Sequence, residues 1–370
     1  MNPTPRSEEQ SASATTSVEP SETAPLPIAD FDYDLPPELI AQAPAEPRDS
    51  ARLLVIPRAG GPLQHDTFRH LGRYLAPGDL LVLNRTRVLP ARLVGRRADA
   101  GGGRAELLLL RPIAEGVWEA LVRPARRLRP GTPLVFSDGV LHAVVLERTA
   151  HGTAHLRFSP ADILPLLDRV GEVPLPPYIR QWHGDPNRYQ TVYADVPGSA
   201  AAPTAGLHFT PELLAALRAQ GIATADIVLH VGLDTFRPVH EADARAHQMH
   251  REYCSVPEEV VRAIGTAHAR GRRVIAVGTT VVRALESAAL AAEAHGAVLA
   301  PYSGWTDLYI TPGYRFRAID GLITNFHLPR STLLLLVSAL IGRERLLAAY
   351  AEAIARRYRF YSFGDATLIL

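Results

Sequence analysis

The chain has 370 residues, 47% of them apolar and 21% charged, with a formal net charge of +1. That leaves room for two domains and a substantial core, and the balance alone points to neither nucleic acid nor a membrane surface. All 39 basic residues are Arg and the only cysteine is Cys254. Lysine Schiff bases, a P-loop lysine, disulfides, cysteine-rich zinc sites and iron–sulfur clusters are therefore excluded.

Taken in order, residues 1–27 are rich in Ser, Thr, Glu, Pro and Ala, with almost no large apolar side chains. They are expected to form a disordered leader and lack the makeup of a secretory signal. Order is expected from Ile28, with a Pro-led helix from Pro37, an apolar strand over Arg52–Ile56, a helix from Phe68 to Leu75 and a strand over Leu80–Leu83. Helices alternating with apolar strands predict an α/β domain. From Val88 to Ser159 the rhythm changes to six short alternating stretches separated by Gly, Pro and Asp turns. That pattern predicts a small antiparallel β-barrel or sandwich, at residues 88–159, inserted between residues 28–87 and 160–370 of the α/β domain.

Helical signals resume at Pro160. The later chain predicts a helix from Pro257 to Arg270, a strand over Val274–Val277 and a helix from Thr280 to about His295. Trp305–Ile310 and Phe316–Ile323 read as strands, Arg330–Leu347 as largely helical, and YRFYSFGDATLIL as a closing strand. Its longest apolar run, Leu333 to Ile341, is too short to span a bilayer, and the lone cysteine fits a cytoplasmic setting.

Four stretches carry chemistry. Ala202–His250 holds His208, His230, His240, His247 and His250, five of the chain's 14 histidines. The spacing of the last three could serve a metal, but it matches no ligand pattern with a known geometry, and no metal is expected. VIAVGTTVVRALES runs a strand through Gly278, Thr279 and Thr280 into a helix, which reads as an ordinary strand–helix turn or as an anion site at the free N–H groups, with no nucleotide fingerprint. Between Arg85 and Arg129 there are eleven Arg against four acidic residues, densest in VRPARRLRP. The guanidinium groups of Arg123, Arg126, Arg127 and Arg129 suit an RNA backbone, or simply a solvated face. In DGLITNFHLPRSTLLLLVSALIG, Thr324, Asn325, His327, Arg330, Ser331 and Thr332 lie between apolar segments, where polar groups are either hydrogen-bonded or functional.

These stretches, with FDYDLPPELIAQAP, PLPPYI, RYQTVYA, APTAGLHFT, MHREY, TDLYITPGY and YRFYSFGDA, resemble the S-adenosylmethionine:tRNA ribosyltransferase-isomerases of queuosine biosynthesis. The resemblance runs in family order from about Phe31 to the end of the chain. It implies an enzyme that moves and isomerises the ribosyl part of S-adenosylmethionine onto 7-aminomethyl-7-deazaguanine at the tRNA wobble position. Epoxyqueuosine, adenine and methionine are the implied products, with no cofactor beyond that co-substrate. The sequence departs from the family pattern at Arg85, Val228, Asp234, Thr311 and Thr367.

Such a reaction needs a base, an acid, a polar cradle for methionine and protection from water. His208, His327 and His230 are the expected proton-transfer residues, with Asp234 orienting one of them or holding the substrate ammonium. Thr204, Gly206, Gly278, Thr279, Thr280 and Asn325 are the expected S-adenosylmethionine contacts. Arg330 joins the barrel arginines as an expected RNA contact. A metal-dependent hydrolase built on His247 and His250, and a non-catalytic RNA-binding paralogue, are the competing readings.

Overall fold

The computed structural model describes residues 25–99, 102–149, 152–180, 184–232 and 239–370. Asp234, the loop after Arg180 and nearly all of the expected leader lie outside the described residues. Ordered structure opens on three short 3-10 helices, the second of them Pro37–Leu39. Strand β1 (Arg52–Ile56) follows where the sequence places it, then β2 (Gln64–Thr67). The expected helix at Phe68 is a 3-10 helix, Phe68–Arg73. Six residues are too few to offset α-helix nucleation. Next come β3 (Leu80–Asn84) and the short β4 (Thr86–Val88).

The insertion comprises β5 (Arg92–Arg97), β6 (Arg104–Ala114), β7 (Val117–Arg123), β8 (Pro133–Phe136), β9 (Leu141–Arg148) and β10 (Ala154–Ser159). All pairings are antiparallel, and β5 pairs with β8 to close a six-stranded barrel. Alternate residues such as Leu107, Leu109, Val145 and Leu156 fill its interior. The core continues past Ser159, because Ile163, Leu167 and Val170 of helix α1 (Leu164–Val170) pack into it and β11 (Gly171–Glu172) pairs with β5.

The chain then returns to the main domain through β12 (Val196–Ser199), α2 (Pro211–Ala219) and β13 (Ala223–Leu229). Strand β14 (Glu252–Val256), α3 (Glu258–Ala269), β15 (Val274–Val277) and α4 (Thr279–Glu293) follow. The last elements are β16 (Tyr302–Thr306), β17 (Gly321–Asn325), α5 (Thr332–Ile341), α6 (Arg343–Ala355) and β18 (Ala366–Ile369). The helix expected over Arg330–Leu347 is thus two helices. They break at Gly342, whose φ of 84° is left-handed backbone that glycine adopts at little cost.

These strands form a nine-stranded mixed sheet in the order β16-β14-β13-β3-β15-β17-β18-β1-β2. The central run β13-β3-β15-β17 is parallel, and its strands are apolar because both faces are covered. Leu80, Val82, Val274 and Ala276 pack with α3, α4 and α5 on one face, whereas Leu81, Leu83, Ile275 and Val277 pack with Phe68, Phe209 and α2 on the other. The architecture is the expected α/β domain with an inserted antiparallel barrel. No helix among the described residues is long and apolar enough to cross a membrane.

Candidate active site

Parallel strands β13, β3, β15 and β17 lie in that order, and the carboxyl ends of β13, β15 and β17 deliver Val231, Gly278 and Asn325 to one pocket of about 610 Å³. Thr204 and Ala205 close it from the turn before α2, and Tyr178, Tyr361 and Ser362 close it from two distant loops.

Gly278 caps α4 with a φ of 99° and no capping side chain, so the first N–H groups of α4 are left to the pocket. Its conformation disfavours any residue with a Cβ. Thr279 and Thr280 line the wall beside it, both buried. The Thr280 hydroxyl is buried without a hydrogen-bond partner among the described residues. Such an orphan is costly unless a ligand completes it.

Asn325 is held at both ends of its amide. Thr204 Oγ1 donates to its Oδ1 at 2.8 Å, and its Nδ2 donates to the Tyr361 carbonyl at 3.1 Å. His327 sits on the same wall, with Nε2 2.8 Å from Thr324 Oγ1. Its backbone is pinned by Tyr350, whose hydroxyl accepts from the His327 N–H at 3.0 Å, and by Tyr33, whose hydroxyl donates to the His327 carbonyl. Nδ1 makes no hydrogen bond among the described residues. Burial pushes the imidazole down to about 3, so it is neutral near pH 7. Ser331 caps α5 by accepting from the Leu334 N–H at 3.2 Å, which fixes the end of this segment.

The other expected site residues lie elsewhere. His208 is buried outside this pocket, stacked on Phe68 at 5.0 Å between ring centroids. Both its ring nitrogens face carbonyls, Ala205 O at 3.1 Å and Gly364 O at 3.0 Å. Burial lowers its pKa as well. Gly206 does not line the pocket; a Cβ there would meet the Tyr193 hydroxyl at 2.1 Å, so glycine is required for packing. His230 follows β13 just before Val231, with Nδ1 2.8 Å from Thr86 Oγ1 and its ring stacked on Tyr253. Arg330 is paired with Asp32 through Nε at 2.7 Å. Arg123, Arg126, Arg127 and Arg129 are exposed on the barrel and make no ion pair among the described residues. His247 Nδ1 meets Glu241 at 3.1 Å, and no group of three metal-ligating side chains forms among the described residues.

The sequence reading overlooked Tyr178, Tyr361 and Ser362. Tyr178 and Ser362 share a 2.6 Å hydrogen bond, and the two tyrosine rings meet at 5.0 Å. Tyr361 holds a φ of 71°, a strained value for a non-glycine residue and of a kind that gathers at functional sites. The signal is present in PLPPYI and YRFYSFGDA, but the second reads from sequence as part of a closing strand. Also overlooked was Glu252, buried in an ion pair with Arg283 of α4 while accepting from the Gly232 N–H at 2.7 Å. This pair ties the end of β13 to the helix whose N-terminus faces the pocket.

A pocket at the carboxyl ends of parallel strands, beside a helix N-terminus without a capping side chain, is where α/β enzymes hold a small ligand. Comparison with known proteins narrows the class. A family model described as queuosine biosynthesis protein matches residues 28–369. The S-adenosylmethionine:tRNA ribosyltransferase-isomerase of Moorella thermoacetica is 57% identical over 345 residues, 93% of this chain and 99% of that one. Its counterpart from Pelotomaculum thermopropionicum is 54% identical over 344 residues, with the same coverage. A crystal structure of S-adenosylmethionine tRNA ribosyltransferase from Thermotoga maritima is 43% identical, with a TM-score of 0.53 over 92% of this chain and all of that one. The chain belongs to the S-adenosylmethionine:tRNA ribosyltransferase-isomerase family of queuosine biosynthesis.

Proposed function

We propose that the pocket binds S-adenosylmethionine and that the enzyme transfers its ribosyl part to 7-aminomethyl-7-deazaguanine in the tRNA anticodon loop. Epoxyqueuosine-tRNA, adenine and methionine are the products. The observation that carries the placement is the α4 N-terminus, open to the pocket beside the unpartnered Thr280 hydroxyl. A carboxylate there accepts from free N–H groups and from Thr280, and it meets the positive end of the helix dipole. Among the described residues the lining has no charged side chain. The tyrosine pair Tyr178 and Tyr361 offers ring faces to a cation or to a purine.

Within that placement His327 is the proton-transfer residue. The sulfonium makes the neighbouring ribose carbon acidic, and the neutral imidazole with a free Nδ1 is in the form that accepts its proton. Burial opposes bringing a new charge into the pocket. Proton transfer from a sulfonium substrate only moves a positive charge a few ångströms, so that opposition is largely absent in the reacting complex. Thr324 fixes the ring, and Asn325 with Thr204 forms a rigid polar edge for ribose or methionine. His208, with both nitrogens on carbonyls, is a packing residue that supports the Thr204 turn. His230 belongs to the rim. Asp234, outside the described residues, is assigned to orienting one of the histidines or holding the substrate ammonium. The proposed chemistry calls on acid–base groups alone, so the reading includes no metal, and a tRNA substrate fits a cytoplasmic setting.

Arg123, Arg126, Arg127 and Arg129 would grip phosphates away from the pocket, giving an affinity that weakens with salt. The test is incubation of the purified protein with S-adenosylmethionine and tRNA bearing the aminomethyl base. One adenine released per modified nucleoside is expected, and no RNA-dependent adenine release would overturn the reading.

A further inference from the structure

Beyond the pocket, the antiparallel end of the sheet presents a row of rings on the face opposite α3 and α4. Tyr253 of β14 sits directly across from Trp305 of β16, and the His230 N–H donates to the Tyr253 carbonyl on the other side. The ring centroids of His230 and Tyr253 are 6.1 Å apart with planes 23° from parallel, and those of Tyr253 and Trp305 are 5.9 Å apart and edge-on. Trp305 is 43% exposed, and His230 and Tyr253 are half-buried. A free-standing tryptophan in mid-strand contributes little to a core, and a three-strand row of rings is more than strand pairing requires.

The barrel completes the arrangement. The Arg111 guanidinium lies 6.0 Å from the Trp305 ring centroid, anchored by a 2.8 Å bond from Nε to Glu119. Thr153 holds the same carboxylate from behind at 2.6 Å. A base sandwiched between guanidinium and indole needs two stacking spacings of about 3.4 Å each. The gap is therefore wider than a closed contact and about 1 Å short of admitting a base. The row also leads to the site, since the residue after His230 is Val231, a pocket wall. Asp226, the exposed carboxylate of β13, lies four residues back toward the other end of the strand.

We propose that Tyr253 and Trp305 form a stacking platform for unpaired RNA bases, with Arg111 closing over Trp305 and His230, whose other ring face lies against Gly198, bracing Tyr253 from the pocket side. Bases splayed from a loop stack on aromatic rings and on Arg planes without demanding a particular sequence. A platform beginning at the pocket rim holds the neighbours of a nucleotide whose base has entered the pocket. The inference rests on an RNA substrate for that pocket and adds the surface that orients it.

The test compares the full-length protein with Trp305→Ala and Trp305→Phe. The probes are an anticodon stem-loop RNA and a fully paired RNA of equal length, both titrated at fixed salt. Trp305→Ala is expected to weaken stem-loop binding about 5- to 100-fold. Duplex binding should stay within about twofold, and Trp305→Phe should restore most of the stem-loop affinity. Unchanged stem-loop binding by a folded Trp305→Ala protein, or an equal loss for both RNAs, would overturn the platform. Adenine release by the wild type, measured alongside with modified tRNA, reports separately on the pocket. Its failure would count against the activity while the binding comparison still judges the platform.

Discussion

Thr280 carries a cost that shows at the scale of one side chain. Its hydroxyl is buried in the pocket wall with no partner among the described residues. Leaving such a group unpaired costs about 1–3 kcal/mol, and a hydrogen bond to a charged ligand returns a similar amount. Thr280→Val keeps the shape and removes the hydroxyl. The variant is expected to melt at a higher temperature than the wild type while binding S-adenosylmethionine about tenfold or more weakly. Calorimetric titration checks the affinity, and an unchanged Kd would remove Thr280 from the ligand cradle. The two buried histidines carry a separate signature. Burial lowers both pKa values, that of His327 to about 3, below the unfolded value of about 6.5. The unfolded chain then binds more protons below pH 6.5. Their contribution to stability is therefore present above that pH and is lost as pH falls toward the folded values. Urea unfolding should show stability declining from pH 6.5 to 5, and the decline should be shallower in His208→Gln. Equal slopes in the two proteins would contradict the sign worked out here.

At the scale of elements, the buried ion pair of Glu252 and Arg283 joins β14 to α4, and through Gly232 it also holds the end of β13. Arg283 Nε donates to the Leu308 carbonyl at 3.0 Å, which brings the loop after β16 into the same network. Removing one partner strands the other charge in the interior. Glu252→Ala is expected to cost about 3–5 kcal/mol in chemical denaturation. A cost near zero would mean that packing alone positions these elements. Legibility in the sequence follows a similar division. β1 and β15 were readable to the residue because short apolar runs bounded by turns leave few alternatives. β16 was expected three residues late, since YSGWTDLYI has no clean alternation and its register is set by pairing with β14. The break at Gly342 was hidden because the apolar face continues across it, and only the backbone at that glycine reverses.

The molecule as a whole was legible in its division into barrel and α/β domain, because a run of short alternating stretches cannot be mistaken for helix-strand repeats. Thr204, Gly278, Thr279, Thr280, Asn325 and His327 were named from sequence and meet at one pocket. What the sequence left open was the direction in which each ring turns. His208 faces Gly364 and Phe68, more than one hundred residues distant in each direction, and no local pattern encodes that choice. Tyr178 and Tyr361 meet across a similar separation. Long-range packing thus sorts equivalent-looking histidines into one that lines the pocket and one that packs behind its wall.

That sorting is the central claim, and single-turnover adenine release from S-adenosylmethionine bound with modified tRNA tests it most directly. His327→Gln is expected to fold as the wild type does and to release adenine about 10²- to 10⁴-fold more slowly. His208→Gln is expected to lose stability, its folded fraction retaining near-normal release. The opposite pattern, with His327→Gln fast and a folded His208→Gln inactive, would contradict the account.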